Sequence, residues 1–565
     1  MVNMYHIAER FKEDMRRNPR LRAVDIRVGL LDRYGLIMSK SKCSKARRVA
    51  SKMVTEEQKV QFAKLWDYEA ELRRSNPNIT TEIGLKTEEG EEVFDRFYTC
   101  FHVLRDSWKK CCRPIIGLDG CFLKWELKGE LLAAVGRDAN NGIYPIAWAV
   151  VRIESIETWL WFIQKLKSDL ALGEGEKLTI TSDKQKGLLN AVERELPFAE
   201  HRMCTRHVYA NWRKNFKDSA YKRIFWNIAA SYHQAHYDAY LEEMKQINEQ
   251  AYEAVLHAEP HQWARPFFKS DSHCEDVVNN LSESFNMTIK DARLRPMIDM
   301  LEMIRKQIMH RNAKRSRYAT RCITEFTRHC MKKLEQSRQK TRFCTSIPSA
   351  RRQYEVEEFG MSFSVDLSGK RCACREWDLR GIPCQHALCI INEKQEDVSK
   401  YISEYYMTSK WVQTYEHNIN PVNGQTLWEK TNKPPIGVPL KRTMPVYVNN
   451  RDIMQGGARM NQLLSSVVKE DEVDRERCKE NQAGNPILLN HNRLVKVPLI
   501  LLSRANQTRQ CNQQSLFLVE FAGLLLQLDN FKFQDNFRQT TKILISTTHH
   551  EDLVRLNLCF FVVSG

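Results

Sequence analysis

Pro114-Ile115-Ile116-Gly117-Leu118-Asp119-Gly120 opens the stretch that decides the fold, and Leu178-Thr179-Ile180-Thr181-Ser182-Asp183 closes it. Each is a short apolar run ending on a carboxylate, the pattern of a buried strand with an acidic residue at its tip. Between them lie two more apolar segments, Glu130 to Arg137 and Ile143 to Val151, separated by the turn signal Asn140-Asn141-Gly142. Ser155 then stands as N-cap before a helix that places Trp159, Phe162, Ile163, Leu166 and Leu170 on one face. Gly173-Glu174-Gly175 breaks that helix ahead of the Asp183 strand.

Working outward, Gln185 to Leu196 reads as a second helix and Ala199 to Cys204 as a fifth short strand. Three antiparallel strands, helix, strand, helix, strand is the order of an RNase H-like sheet. The fold class expected is therefore α/β: a mixed sheet over 111–330 with a helical insertion at about 208–278. That insertion is aromatic-rich (Trp212, Phe216, Tyr221, Phe225, Trp226, Tyr237, Tyr240, Trp263), and these rings read as core more than as a base-stacking surface. A helix follows at Asn279 to Arg293, with Phe285, Ile289 and Ala292 inward and Glu283, Asn286 and Lys290 on a polar face. Pro296 opens another amphipathic helix, which ends in the basic cluster Lys314-Arg315-Ser316-Arg317.

Residues 1–110 read as mostly helical and basic, with helical spacing at Tyr5 to Arg16 and Glu56 to Arg74. The run Ser39 to Lys52 fits DNA contact or nuclear import, and fits equally a solvated helix face. The formal charge is +17, which favours a polyanionic partner. Met1 to Pro19 has no apolar core of a secretory signal, and no segment reaches membrane-span length. Seventeen cysteines scattered through such a chain read as reduced thiols or metal ligands rather than a disulfide framework. Residues 401–440 read as a Pro-containing linker and 441–565 as a poorly ordered or doubtful tail.

Three constellations carry chemistry. Asp119, Asp183 and Glu283 are hard carboxylates at two strand ends and on a late helix, the donors that two divalent ions about 3.5–4 Å apart require for phosphodiester cleavage. Their specificity lies in placement, because the chain holds 70 acidic residues. Cys204-Thr205-Arg206-His207 fits half a zinc site, a positioning element beside the pocket, or two buried side chains; a structural role near the site is favoured. Cys372, Cys374, Cys384 and His386, spaced C-x-C, nine residues, C-x-H, match a closed structural zinc site at 345–400.

The run Asp119-Gly120-Cys121-Phe122-Leu123-Lys124 resembles the first catalytic block of plant Mutator-like (MULE/MuDR) transposases. Trp148-Ala149-Val150-Val151 with Glu154, Trp159-Leu160-Trp161-Phe162, Thr181-Ser182-Asp183, Cys204-Thr205-Arg206-His207 and Ser282-Glu283-Ser284-Phe285-Asn286 resemble the later blocks in order. The C-x-C…C-x-H segment resembles a SWIM zinc finger. The resemblance implies a DDE transposase with Asp119, Asp183 and Glu283 as the metal-binding triad and Mg²⁺ or Mn²⁺ as catalytic ions. It further implies a structural Zn²⁺ in the SWIM module, DNA ends and target DNA as partners, and DNA recombination in the nucleus. A homo-oligomer is compatible with that class, and a membrane role is not. The alternative is a domesticated relative that binds DNA as a transcriptional regulator without cutting it.

Overall fold

The computed structural model describes residues 2–124, 128–349 and 352–440, together with two tail strands. Met1–Val446 form one compact unit and Tyr447–Gly565 another. In the second unit the described residues are β-strands Lys542–His550 and Leu553–Phe561, paired antiparallel; the rest of the tail expectation falls outside the described residues.

The first unit begins with four helices: α1 (Met4–Arg17), α2 (Ala23–Tyr34), α3 (Lys40–Ala63) and α4 (Leu65–Ser75). Asn3 caps α1 by accepting the His6 backbone N–H at 2.9 Å, and Ser39 caps α3 from Lys42 at 3.3 Å. Ile7, Phe11, Ile26, Leu30, Cys43 and Ala46 close a small core among the first three helices. The basic run from Ser39 thus lies on α3, whose inner face is Cys43, Ala46 and Ala50. One continuous helix from Glu56 to Arg74 was expected, but Lys64 separates α3 from α4.

A hairpin follows, β1 (Thr80–Glu88) and β2 (Glu91–Cys100), then α5 (His102–Cys111). Helical periodicity upstream had masked this hairpin, and it widens the sheet. The central elements are β3 (Ile115–Phe122), β4 (Glu130–Arg137), β5 (Ile143–Val151), α6 (Ile156–Leu170), β6 (Thr179–Ser182), α7 (Lys186–Glu195) and β7 (Glu200–Met203). The strands run in the order β1-β2-β5-β4-β3-β6-β7. The pairs from β1 to β3 are antiparallel, while β3–β6 and β6–β7 are parallel. This mixed arrangement follows from the connections: short turns such as Asn141, which sits at φ 61°, join antiparallel strands, whereas α6 and α7 are the crossovers that parallel neighbours need. Strands β4 and β5 are buried almost throughout, so both sheet faces are covered. Ser155 and Thr158 form the capping box of α6, whose Trp159, Phe162, Ile163, Leu166 and Leu170 pack into the core as their spacing predicts.

Beyond β7 come α8 (Thr205–Trp212), α9 (Ser219–Ala230), α10 (Gln234–Ile247) and α11 (Glu249–His257). Trp212, Phe225, Tyr237 and Trp263 are core side chains there, with Phe225 stacked on Trp263 at 5.1 Å. The chain returns to the sheet with α12 (Asn280–Thr288) and α13 (Met297–Thr320). Then α14 (Arg328–Lys340), β8 (Cys344–Pro348), β9 (Gln353–Glu358), β10 (Met361–Asp366), β11 (Arg371–Cys372), α15 (Glu376–Arg380) and α16 (Gln385–Glu393) build a small four-stranded module with its own core. The Arg375 guanidinium ties that module to the insertion through the carbonyls of Pro266 and Phe268.

Residues 401–440, read from their prolines as a linker, contain α17 (Thr408–Thr414) and pack back on the molecule. Trp411, Tyr415, Ile419 and Ile436 join the main core, and Gly437 exchanges hydrogen bonds with Glu92 and Phe94 at 2.9 and 3.0 Å. Loop composition reports the absence of regular ladders, not the absence of packing, so a strap and a linker look alike in sequence.

Candidate functional site

Gly117 of β3 pairs with Thr181 of β6 in a parallel register. Two residues further along the chain in each case stand Asp119, within β3, and Asp183, one residue past the end of β6, near enough for the charge of Asp183 to act on Asp119. The opposite wall of the site is α12. Asn279, its N-cap, is buried; its amide donates to the Leu118 carbonyl at 3.1 Å, and its carbonyl oxygen accepts from the Thr181 hydroxyl at 3.3 Å. That approach depends on Gly117, because a Cβ there would sit 2.7 Å from both Asn279 Oδ1 and Ser282 Oγ. Two helical turns on, Asn286 Nδ2 donates to Asp119 Oδ2 at 2.8 Å.

Burial, with the negative charge of Asp183 behind it, pushes the Asp119 carboxyl up to about 7; Glu154 adds to this and His207 opposes it. Glu154 lies just past β5 and is also raised, first by burial, with Asp183 contributing, while Trp159 Nε1 donates to its Oε1 at 3.0 Å. It reaches β3 because Gly120 has no side chain: a Cβ there would be 2.9 Å from the Glu154 carboxyl carbon. The site therefore gathers a carboxylate that the sequence places in a family block and as a rival to Glu283 for the third acidic position. The signal that could have found it is the glycine directly after Asp119.

Glu283 sits in the first turn of α12, in a different company. It is ion-paired with Arg206, and its Oε1 is 3.9 Å from Cys204 Sγ. One ligand atom each from Cys204, His207 and Glu283 gather within 4.8 Å; among the described residues Asp119, Asp183 and Glu283 do not form such a group. His207 is the link between the two clusters. A hydrogen bond with Cys204 lifts its pKa to about 9, against the cost of burial, and the charges of Asp183 and Glu283 add to this. Cys204 is buried, His207 exposed and Glu283 half-buried.

The second centre lies in the small module. Cys372 closes β11, Cys374 follows it, Cys384 is the N-cap of α16 and His386 lies in its first turn. All four are buried, and one ligand atom of each falls within 4.8 Å of the others. His386 Nδ1 is 3.5 Å from Cys372 Sγ and 3.9 Å from Cys384 Sγ. A tetrahedral zinc with Zn–S of about 2.3 Å and Zn–N of about 2.0 Å sets such edges at about 3.5 Å, so the donor set fits that ion. Burial opposes a thiolate at Cys384, yet hydrogen bonds from Cys372, Cys374 and His386 bring its pKa well below the usual thiol range. The far nitrogen, His386 Nε2, lies 3.0 Å from Glu358 Oε2, and Phe363 stacks on the ring at 4.2 Å. Glu358, on β9, was not foreseen; it fixes the tautomer that turns Nδ1 to the sulfurs.

Residues 115–211 match the family model of the MULE transposase domain, and residues 359–395 that of the SWIM zinc finger. The chain carries a MULE transposase domain and a SWIM zinc finger. No curated protein matches the chain. The MULE match spans Asp119, Glu154, Asp183, Cys204 and His207 and stops before Glu283. The SWIM match contains all four zinc donors, with Glu358 one residue ahead of it. Among the described residues, no helix is long and apolar enough to cross a membrane.

Proposed function

We propose that this chain is a Mutator-like DDE transposase that cuts and joins DNA with Mg²⁺ or Mn²⁺ at Asp119, Asp183 and Glu283. The observation that carries the reading is the parallel pairing of β3 and β6, which brings Asp119 on β3 near Asp183 just past β6, with Asp119 pushed up to about 7 by burial and by Asp183. Two like-charged, half-buried carboxylates close together are the donor chemistry a divalent cation neutralises. The order of the five central strands, three antiparallel and two parallel, supports an RNase H-like core at 111–330. The hairpin β1–β2 is an addition at its edge.

In this reading Asp119 and Asp183 hold the metal, Asn286 orients the Asp119 carboxylate, and Glu283 on α12 would become the third ligand by leaving Arg206 and turning toward the aspartates. Bound divalent ions supply an activated water or 3′-hydroxyl and stabilise the leaving oxygen. Glu154 adds negative charge at the same point and tightens cation binding. DNA is the partner. An exposed stripe of Lys306, His310, Lys314 and Arg317 on α13 runs past the end of α12, where Arg311 reaches Thr288 at 3.3 Å, and it suits a phosphate backbone. The zinc module at 345–400 holds its shape without an open coordination position, so it recognises rather than cuts. A DNA-cutting chain of this kind works in the nucleus.

The test is cleavage of element-end DNA by the purified chain with Mg²⁺ or Mn²⁺. Metal-dependent nicks, lost in Asp119→Ala, are expected. Sequence-specific binding without nicking under both metals would overturn the enzyme reading and leave a transposase-derived DNA-binding regulator.

A further inference from the structure

We propose that Cys204, His207 and Glu283 form a second transition-metal site, suited to Zn²⁺, distinct from both the SWIM centre and the paired aspartates. The site goes beyond the transposase reading and does not require the chain to cut DNA.

Three elements build it. Cys204 directly follows β7 and is the N-cap of α8, and the following turn brings His207 back over it, with the His207 backbone N–H donating to the Cys204 carbonyl at 3.0 Å. Glu283 arrives from α12, which is held in place by Asn279 and by the fit against Gly117. One donor atom from each residue lies within 4.8 Å of the others, and the Cys204 Sγ to Glu283 Oε1 separation is 3.9 Å. Three ligands about 2.0–2.3 Å from one zinc ion stand roughly 3.3–3.8 Å apart, so closure needs side-chain adjustments of under about 1 Å.

The donor types choose the metal. One thiolate and one imidazole select zinc over magnesium, whereas the aspartate pair offers only hard oxygens. A thiolate and a carboxylate together bring two negative charges to balance a dication. The surroundings also suit a metal-bound sulfur: the Asn279 backbone N–H donates to Cys204 Sγ at 3.2 Å, the kind of outer hydrogen bond that orients a ligand. Arg206 pairs with Glu283 and leaves its Oε1 turned to Cys204. Cys204 is buried and His207 exposed, so the cluster opens to solvent on one side, and three protein ligands leave a fourth position for water. Glu283 groups with Cys204 and His207 and not with the aspartates, so zinc held here would engage the carboxylate that the transposase reading assigns to the divalent ions.

The experiment counts metal in the full-length chain. Zinc-replete protein, freed of loosely held metal by gel filtration, is expected to hold two zinc ions per chain by mass spectrometry. Cys204→Ser and His207→Ala are each expected to hold one, and Glu283→Gln to bind the second zinc at least tenfold more weakly. Cobalt substitution is expected to give a sulfur-to-cobalt band lost in Cys204→Ser, with the stronger band of the SWIM centre retained. Retention of that band also reports that the variant has folded; should Cys204→Ser not fold, the exposed His207→Ala carries the test. One zinc per chain in the wild type, or a count unchanged in both variants, would overturn the site. A failure to nick DNA beside a count of two would sink the enzyme reading alone.

Discussion

Asp119→Asn should stabilise the metal-free site while abolishing the DNA nicking proposed above. Burial and the neighbouring Asp183 raise the Asp119 carboxyl from 3.8 to about 7, so the folded protein holds its proton where the unfolded chain has lost it. The sign follows: the protonated carboxyl favours the fold fully below pH 3.8, and that advantage fades as pH rises to about 7. At about 1.4 kcal/mol per unit, the full shift corresponds to a ceiling of about 4 kcal/mol. The carboxyl is partly exposed, and solvent screening reduces the expected gain to about 1–3 kcal/mol. Asparagine keeps an oxygen to accept from Asn286 Nδ2 and carries no charge to repel Asp183 or Glu154. The assay is paired thermal melts in zinc-replete, magnesium-free buffer from pH 4 to pH 8. The variant should match wild type near pH 4 and melt a few degrees higher at pH 8. Added Mg²⁺ should raise the wild-type midpoint and leave the variant unmoved, since only a ligand that binds the native state shifts stability. A variant no more stable than wild type at pH 8, or a difference flat across that range, would refute the like-charge pocket.

Gly117→Ala should destabilise by about 1–3 kcal/mol in urea unfolding, because its Cβ would press on Asn279 and Ser282, both buried and unable to yield. The same variant should lose DNA nicking more than DNA binding, since the displaced α12 carries Asn286 and Glu283. Glu358→Ala should weaken SWIM zinc about 10–100-fold in competition with a chromophoric chelator, because His386 Nε2 loses the carboxylate that holds its ring. Lys314→Ala with Arg317→Ala should flatten the log Kd against log salt slope for duplex DNA by up to about two, with little effect on thermal stability.

Several things were legible locally. The boundaries of β4 and β5, the Ser155 cap, the inward face of α6 and the four zinc donors all depend on residues close in sequence, where the side-chain period and ligand spacing act directly. The adjacency of β3 and β6 was legible because strand order follows from connection type: tight turns give antiparallel neighbours and helical crossovers give parallel ones. The β1–β2 hairpin was not, because its place is set by β2 pairing with β5, a partner some fifty residues away. Nor was the strap at 401–440, whose apolar residues are too sparse to show a period yet find core positions.

The opening run, Pro114 to Gly120, shows where that division falls. By itself the sequence placed Asp119 and Asp183 at the ends of two buried strands; in the structure β3 runs on past Asp119 to Phe122, and Asp183 directly follows β6. Only the tertiary structure decided their company: Glu154 drawn in over Gly120, Asn286 bonded to Asp119, and Glu283 held beside Cys204, Arg206 and His207. Those contacts depend on the close approach of α12 and of the Glu154 side chain to β3, which glycines at 117 and 120 permit but cannot announce. A missing side chain has no period to read, and its meaning appears only when something else occupies the space.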